Sequence, residues 1–336
     1  MGNQPSQAEP IDVKVNGSSG EEEWVESSAN NQFSEKEEEK VIEEMEKMEA
    51  KHDMEDLEQH DHQDEERVAE GFNLVNYYLD THRFDLALPL MVANLEKRRM
   101  TLGEDNPFTI DSAENCAMIY LKKGEYELSE LLHLDCVNRR QRLLHWDHSD
   151  TMRSLHRLGT FYIHWGKPER ARAILIEAFA KRERVLGPDH PETLQSMNAL
   201  GVCLQILEDL DEALLMLELT LKRRLKVDDV KPGNGKVDHP DTLEVMCNLA
   251  RLHALKKDWA KAIQLQVYVV DKRVEILSEL HPDSITAIVK LASMYGEMNV
   301  NDKSQQLYGR AITLSSNVMG PEHPATLDIV NSFRAD

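Results

Sequence analysis

Large apolar and small residues recur along this chain at fixed distances from a threonine or serine. If that residue is position 0 of a unit, the zero positions are Thr109, Thr151, Thr193, Thr242, Ser284 and Thr326, spaced 42, 42, 49, 42 and 42 residues apart. Extending the register back to Arg67, position 7 is Leu74, Cys116, Leu158, Leu200, Leu249 and Leu291. Position 8 is never larger than valine: Val75, Ala117, Gly159, Gly201, Ala250 and Ala292. Position 11 is Tyr78, Tyr120, Tyr162, Leu204, His253 and Tyr295, and position 20 is Ala87, Ser129, Ala171, Ala213, Ala262 and Ser304. This spacing puts the anchors on one face of a first helix, about positions -1 to 14, and of a second, about 17 to 34. Each unit therefore reads as a helix hairpin, and a period in this range predicts an all-α solenoid whose units bury their apolar faces only by stacking.

The breaks between helices have their own chemistry. His190-Pro191-Glu192-Thr193, His239-Pro240-Asp241-Thr242, His281-Pro282-Asp283-Ser284 and His323-Pro324-Ala325-Thr326 place a proline in a first helical turn, where its missing N–H costs nothing. Asn106-Pro107-Phe108-Thr109 and His148-Ser149-Asp150-Thr151 are variants of the same start. Gly103, Gly187 and Gly320 stand just past second-helix ends. Arg98, Arg140, Arg182, Arg224 and Arg273 fall in last turns, where cations complement the helix dipole. The long interval comes from extra residues around Val230 to Lys236, read as a loop extension between the fourth and fifth units.

Charge divides the chain. Residues 1–66 carry 22 Asp and Glu against 5 Lys, leaving 39 acidic and 34 basic residues for the remainder of a chain of net charge -22. The acidity belongs to an N-terminal tail that repels phosphate backbones, which argues against nucleic acid as a partner. Residues 1–34 have too few apolar side chains to offset ordering entropy and read as a disordered acidic tail. Residues 35–66 read as an acidic helical linker and residues 67–336 as the repeat array, six hairpins and a last helix from Pro324. Cys116, Cys136, Cys203 and Cys247 are scattered, which fits a reducing cytoplasm better than a disulfide framework. Met1-Gly2-Asn3-Gln4-Pro5-Ser6 matches the acylation pattern, so Gly2 is a candidate myristoylation site, giving weak peripheral membrane association.

The small, leucine and tyrosine positions, with the Leu186-Gly187-Pro188-Asp189-His190-Pro191-Glu192-Thr193 connector, resemble the tetratricopeptide repeat in its long form of about 42 residues, as in kinesin light chains. The resemblance covers residues 67–336 and implies a right-handed superhelical solenoid with a concave groove lined by first helices. It also implies that positions 2, 5, 6, 9 and 13 face a bound peptide. Candidate peptide-binding residues are thus Asn73, Asn115, Arg157, Asn248 and Lys290 at position 6, with Asn198 at position 5, Asn76 at position 9 and Arg153 at position 2. Amide and cationic donors on one stripe suit an extended acidic segment. Asn76, Asn115, Arg153 and Arg157 are also similar to the carboxylate clamp of heat-shock co-chaperones, although Phe72 occupies the place of that clamp's first lysine.

No cluster supports catalysis, a metal or any other cofactor, and no small-molecule substrate is expected. The histidines of the helix starts lie one repeat apart, too far to share an ion. The reading is a non-catalytic adaptor for protein partners. Its rivals are a repeat appendage of a larger enzyme or signalling assembly, and a co-chaperone-like clamp.

Overall fold

A computed structural model of the chain describes residues 75, 78–79, 83–228 and 239–335, all within a compact unit spanning residues 56–336. Twelve helices are bounded among the described residues. In order they are α1 (Phe84–Leu102), α2 (Pro107–Lys123), α3 (Tyr126–Leu144), α4 (Ser149–His164), α5 (Pro168–Leu186), α6 (Pro191–Ile206), α7 (Leu210–Asp228), α8 (Pro240–Leu255), α9 (Trp259–Leu277), α10 (Pro282–Glu297), α11 (Asn301–Met319) and α12 (Pro324–Ala335). Each packs against the next. The stronger contacts that skip a helix join α2 to α4, α4 to α6, α6 to α8 and α10 to α12, the first helices of hairpins and the last helix, which holds the same register position. The first helices therefore form the inner side of an all-α solenoid. No helix among the described residues is long and apolar enough to cross a membrane.

The recurrent histidine is a helix cap. Nδ1 of His148, His190, His239, His281 and His323 accepts the backbone N–H two residues on, at 3.1–3.2 Å, as Asn106 Oδ1 does at 3.0 Å. The zero-position hydroxyls are buried, and two reach back to close the preceding turn: Ser284 Oγ donates to Ser278 O at 2.7 Å and Thr326 Oγ1 to Gly320 O at 2.9 Å.

Position 8 sets the closeness of each hairpin. A Cβ at Gly159 would stand 2.6 Å from Leu175 Cγ and Cδ2, and one at Gly201 2.7 Å from the same atoms of Leu217. Where the facing position 24 is His133, Gln266 or Tyr308, position 8 is alanine. The same register places Leu158, Leu200, Leu249, Ala171 and Ala213 in one continuous core with Phe161, Tyr162, Leu175 and Leu217.

The arginines expected in last turns stand just before them, four residues from each helix end, and the last-turn cations are instead Arg99, Arg142, Arg184 and Lys226, with none on α9. Arg98 Nη1 donates to Phe108 O and Ser112 Oγ at 2.9 and 2.8 Å, Arg182 Nη1 to Glu192 O and Ser196 Oγ at 2.9 and 2.8 Å, and Arg273 Nη1 to Asp283 O at 3.0 Å. Arg224 pairs with Asp241 at 2.7 Å, and Arg140 with Ser154. Each is thus a staple from one second helix to the start of the following unit. Because Arg140 and Arg182 are buried, losing their partners would strand a charge inside the protein.

Candidate functional site

The first helices leave one stripe open to solvent. Positions 2, 6, 9 and 13 follow i, i+4, i+7, i+11 spacing and fall on one side of a helix. On α2 they are Asp111, Asn115, Met118 and Lys122; on α4, Arg153, Arg157, Thr160 and His164. On α6 they are Gln195, Ala199, Val202 and Ile206; on α8, Glu244, Asn248, Arg251 and Leu255; on α10, Thr286, Lys290, Ser293 and Glu297. All are half-buried or exposed, while the residues between them are mostly buried. Position 13 carries exposed Ile206 and Leu255, and position 9 exposed Met118, apolar groups beyond the polar candidates the sequence had singled out.

Position 5 does not look into the groove. It faces the next first helix, and the resulting pairs stitch the inner side together. Arg157 Nη1 donates to Glu114 Oε2 at 2.7 Å, Asn248 Nδ2 to Asn198 Oδ1 at 3.1 Å, and Lys290 Nζ to Cys247 Sγ at 3.3 Å. Asn198 Nδ2 in turn donates to Glu244 Oε1 at 3.4 Å. Of the candidate residues, Asn198 is thus a nearly buried rung between α6 and α8, and Asn248 and Lys290 each spend a donor on such a rung. Asn115 lies half-buried on the stripe of α2. Asn73, Asn76 and Gly2 lie outside the described residues, as do Phe72 and the tail and linker boundaries at 34 and 66.

Arg153 and Arg157 come together on α4, one turn apart, but neither is free. Glu114, fully buried on α2, accepts from Arg157, from Arg140 Nη1 at 2.9 Å and from Ser154 Oγ at 2.6 Å. Burial alone would raise its carboxyl, and the guanidiniums of Arg157 and Arg140 with the Ser154 hydroxyl outweigh that, holding it below the usual carboxylate range. Asp111 Oδ1 accepts from Arg153 Nη2 at 3.0 Å and from Arg140 Nη2, and Arg153 Nη2 also meets Asp150 at 3.0 Å. Three carboxylates therefore balance three guanidiniums, and the patch has no net charge. Asp111 and Glu114 escaped the sequence reading. Their signal was present in the register, because Arg153 is one full period from Asp111 and Arg157 one residue more from Glu114.

Two sequence models of the tetratricopeptide repeat match the chain, one over residues 150–226 and the other over residues 73–108 and 284–325. The chain is a tetratricopeptide repeat protein. The array is similar in fold to a Podosopora anserina putative kinesin light chain with nearly identical TPR-like repeats, at 22% identity and a TM-score of 0.50 over 62% of this chain and 95% of that one. It is similar also to BtubC (BKLC) from P. vanneervenii, at 16% identity and a TM-score of 0.55 over 70% and 92% of the two chains. A third similar fold is the Rap protein complexed with competence and sporulation factor, at 10% identity and a TM-score of 0.54 over 79% and 75%. No curated protein matches the sequence. The tetratricopeptide array is thus of the kinesin light chain-like kind in fold, and such arrays are scaffolds for protein interaction.

Proposed function

We propose that this array is a non-catalytic adaptor of the cytoplasm that holds an extended segment of a partner protein along the open stripe of its first helices. The observation that carries the reading is the exposure of one stripe on five successive first helices, α2 to α10, with hydrogen-bonding and apolar groups interleaved. Neighbouring helices stand about 8–10 Å apart, so five span roughly 32–40 Å, the length of about ten to twelve extended residues. Arg153 and Arg157 would meet a carboxylate of the segment, Asn115 and Asn248 its main chain, and Val202, Ile206 and Leu255 its apolar side chains. The fold accommodates a bound factor in the Rap protein complexed with competence and sporulation factor.

The test uses the full chain and a displayed library of random twelve-residue peptides, with the selected peptides remeasured by fluorescence anisotropy. Arg157→Gln leaves Glu114 paired with Arg140 and should weaken the acidic peptides about tenfold or more, the scale of a charge-assisted hydrogen bond. Far-UV circular dichroism should stay unchanged. Equal affinity for the two proteins would remove Arg157 from the binding surface.

A further inference from the structure

The neutral patch on α2 and α4 poses a question for that reading. Net charge does not draw an acidic ligand to Arg153 and Arg157, because Asp111, Glu114 and Asp150 already answer the guanidiniums of Arg140, Arg153 and Arg157. The two stripe arginines are held very differently, however. Arg157 is tied to a carboxylate sealed from solvent, whereas Arg153, itself 36% exposed, is tied to Asp111 at 40% and Asp150 at 31% exposure. Water and solutes reach both partners of the second contact, but in the first they reach only Arg157, 33% exposed, and not Glu114.

The Arg153 pairing is also incomplete. Both of its ion pairs run through the same nitrogen, Nη2, and its buried Nε has no hydrogen-bond partner. Asp111 is likewise engaged through a single oxygen, Oδ1, which it divides between Arg153 and Arg140. A guanidinium binds a carboxylate best with two parallel N–H donors, and an unpaired buried N–H carries a desolvation penalty. The resting contact is therefore a one-pronged placeholder.

We propose that Asp111 is a specificity-determining residue that acts as an internal stand-in for the ligand carboxylate. It lies at position 2 of α2, on the open stripe, in the seat that a peptide carboxylate must take to reach Arg153. An entering carboxylate displaces Asp111 from Arg153 and gains a two-pronged contact, while Asp111 keeps Arg140. Arg157, fixed by Glu114, does not move. Peptides without a carboxylate in that register cannot outcompete Asp111, so the placeholder screens neutral and basic segments out. The inference rests on the peptide-groove reading of α2 and α4.

Asp111→Asn keeps the size of the side chain and an acceptor for Arg140 but removes the competing charge. In the full chain at low salt, the acidic peptide selected from the displayed library should bind about two- to fivefold more tightly, the range spanned by half-exposed ion pairs. The same peptide with its carboxylates replaced by amides should gain nothing, and the gain should vanish in Asp111→Asn combined with Arg153→Gln. Asp111→Ser, measured alongside, guards against a folding defect peculiar to asparagine. Unchanged or weaker acidic-peptide binding by both folded Asp111 variants, with Arg157→Gln still weakening it, overturns the stand-in role and leaves the groove. If Arg157→Gln and the amide peptide are also without effect, the groove reading falls with it.

Discussion

Replacing Gly201 with alanine adds one methyl group at the tightest point of a hairpin. The new Cβ would stand 2.7 Å from Leu217 Cγ and Cδ2, about 1 Å inside a comfortable carbon–carbon contact. Leu217 is fully buried, so it cannot swing aside without displacing its own neighbours. Overpacking of this kind costs about 1–3 kcal/mol, while alanine gains about 1 kcal/mol over glycine inside a helix. Gly201→Ala should therefore be neutral to about 2 kcal/mol destabilising in the parent protein. In a Leu217→Ala background the clash is gone, and the same substitution should stabilise by about 1 kcal/mol. The quantity to measure is the difference, a coupling of about 1–3 kcal/mol, from urea unfolding of the four proteins followed by circular dichroism. A coupling within about 0.5 kcal/mol of zero, the usual additivity error, would refute the packing of position 8 against position 24.

Burial, aided by Arg157 and opposed by Glu114, lowers His133 to about 4, and burial aided by Arg182 and Arg157 lowers His156 to about 3. In the unfolded chain both titrate near about 6.5, so the unfolded state binds more protons. Stability is complete above about pH 6.5 and declines below it, by about 2 kcal/mol for each histidine at pH 5, and His133→Gln should flatten the dependence. Equal urea midpoints at pH 8 and pH 5 would contradict it. Ser278 caps α9 at φ 80°, where the equivalent residues Gly103, Gly187 and Gly320 are glycine. Ser278→Gly should raise stability by about 1 kcal/mol, and a lowered melting temperature would show that the strain is relieved some other way. At the N-terminus, acylation of Gly2 should add one myristoyl group to the intact mass from eukaryotic cells, and Gly2→Ala should abolish the increment. An unmodified mass for the parent protein would rule out Gly2 as an acylation site.

The hairpins were legible because their cause is local and repeated. A small residue at position 8, a proline or serine at the helix start and a residue tolerant of positive φ past the second helix each act within one unit. The histidines read as turn residues and prove to be caps through Nδ1. What stayed hidden acts between units. Arg140 and Arg182 looked like dipole partners, yet they staple one repeat to the next, and Asn198 looked like a groove residue, yet it is a rung between α6 and α8. The pairing of Arg153 with Asp111 and of Arg157 with Glu114 needed the lateral register of the first helices. A single repeat does not contain that information, and two aligned repeats almost do. The exposed Ile206 and Leu255 were missed because an apolar residue on a helix reads as core until the facing layer is known.

Photo-crosslinking from within the array tests most directly whether the open stripe of the first helices is the binding surface. Benzoylphenylalanine is placed in the full chain at Val202, on the stripe of α6, or at Ile176, exposed on the second helix α5. Each protein is irradiated with the labelled acidic peptide selected from the displayed library. Crosslinking from Val202 and not from Ile176, competed by unlabelled peptide, is the predicted result. Competable crosslinking from Ile176 with none from Val202 would place the partner on the outer helices and contradict the assignment.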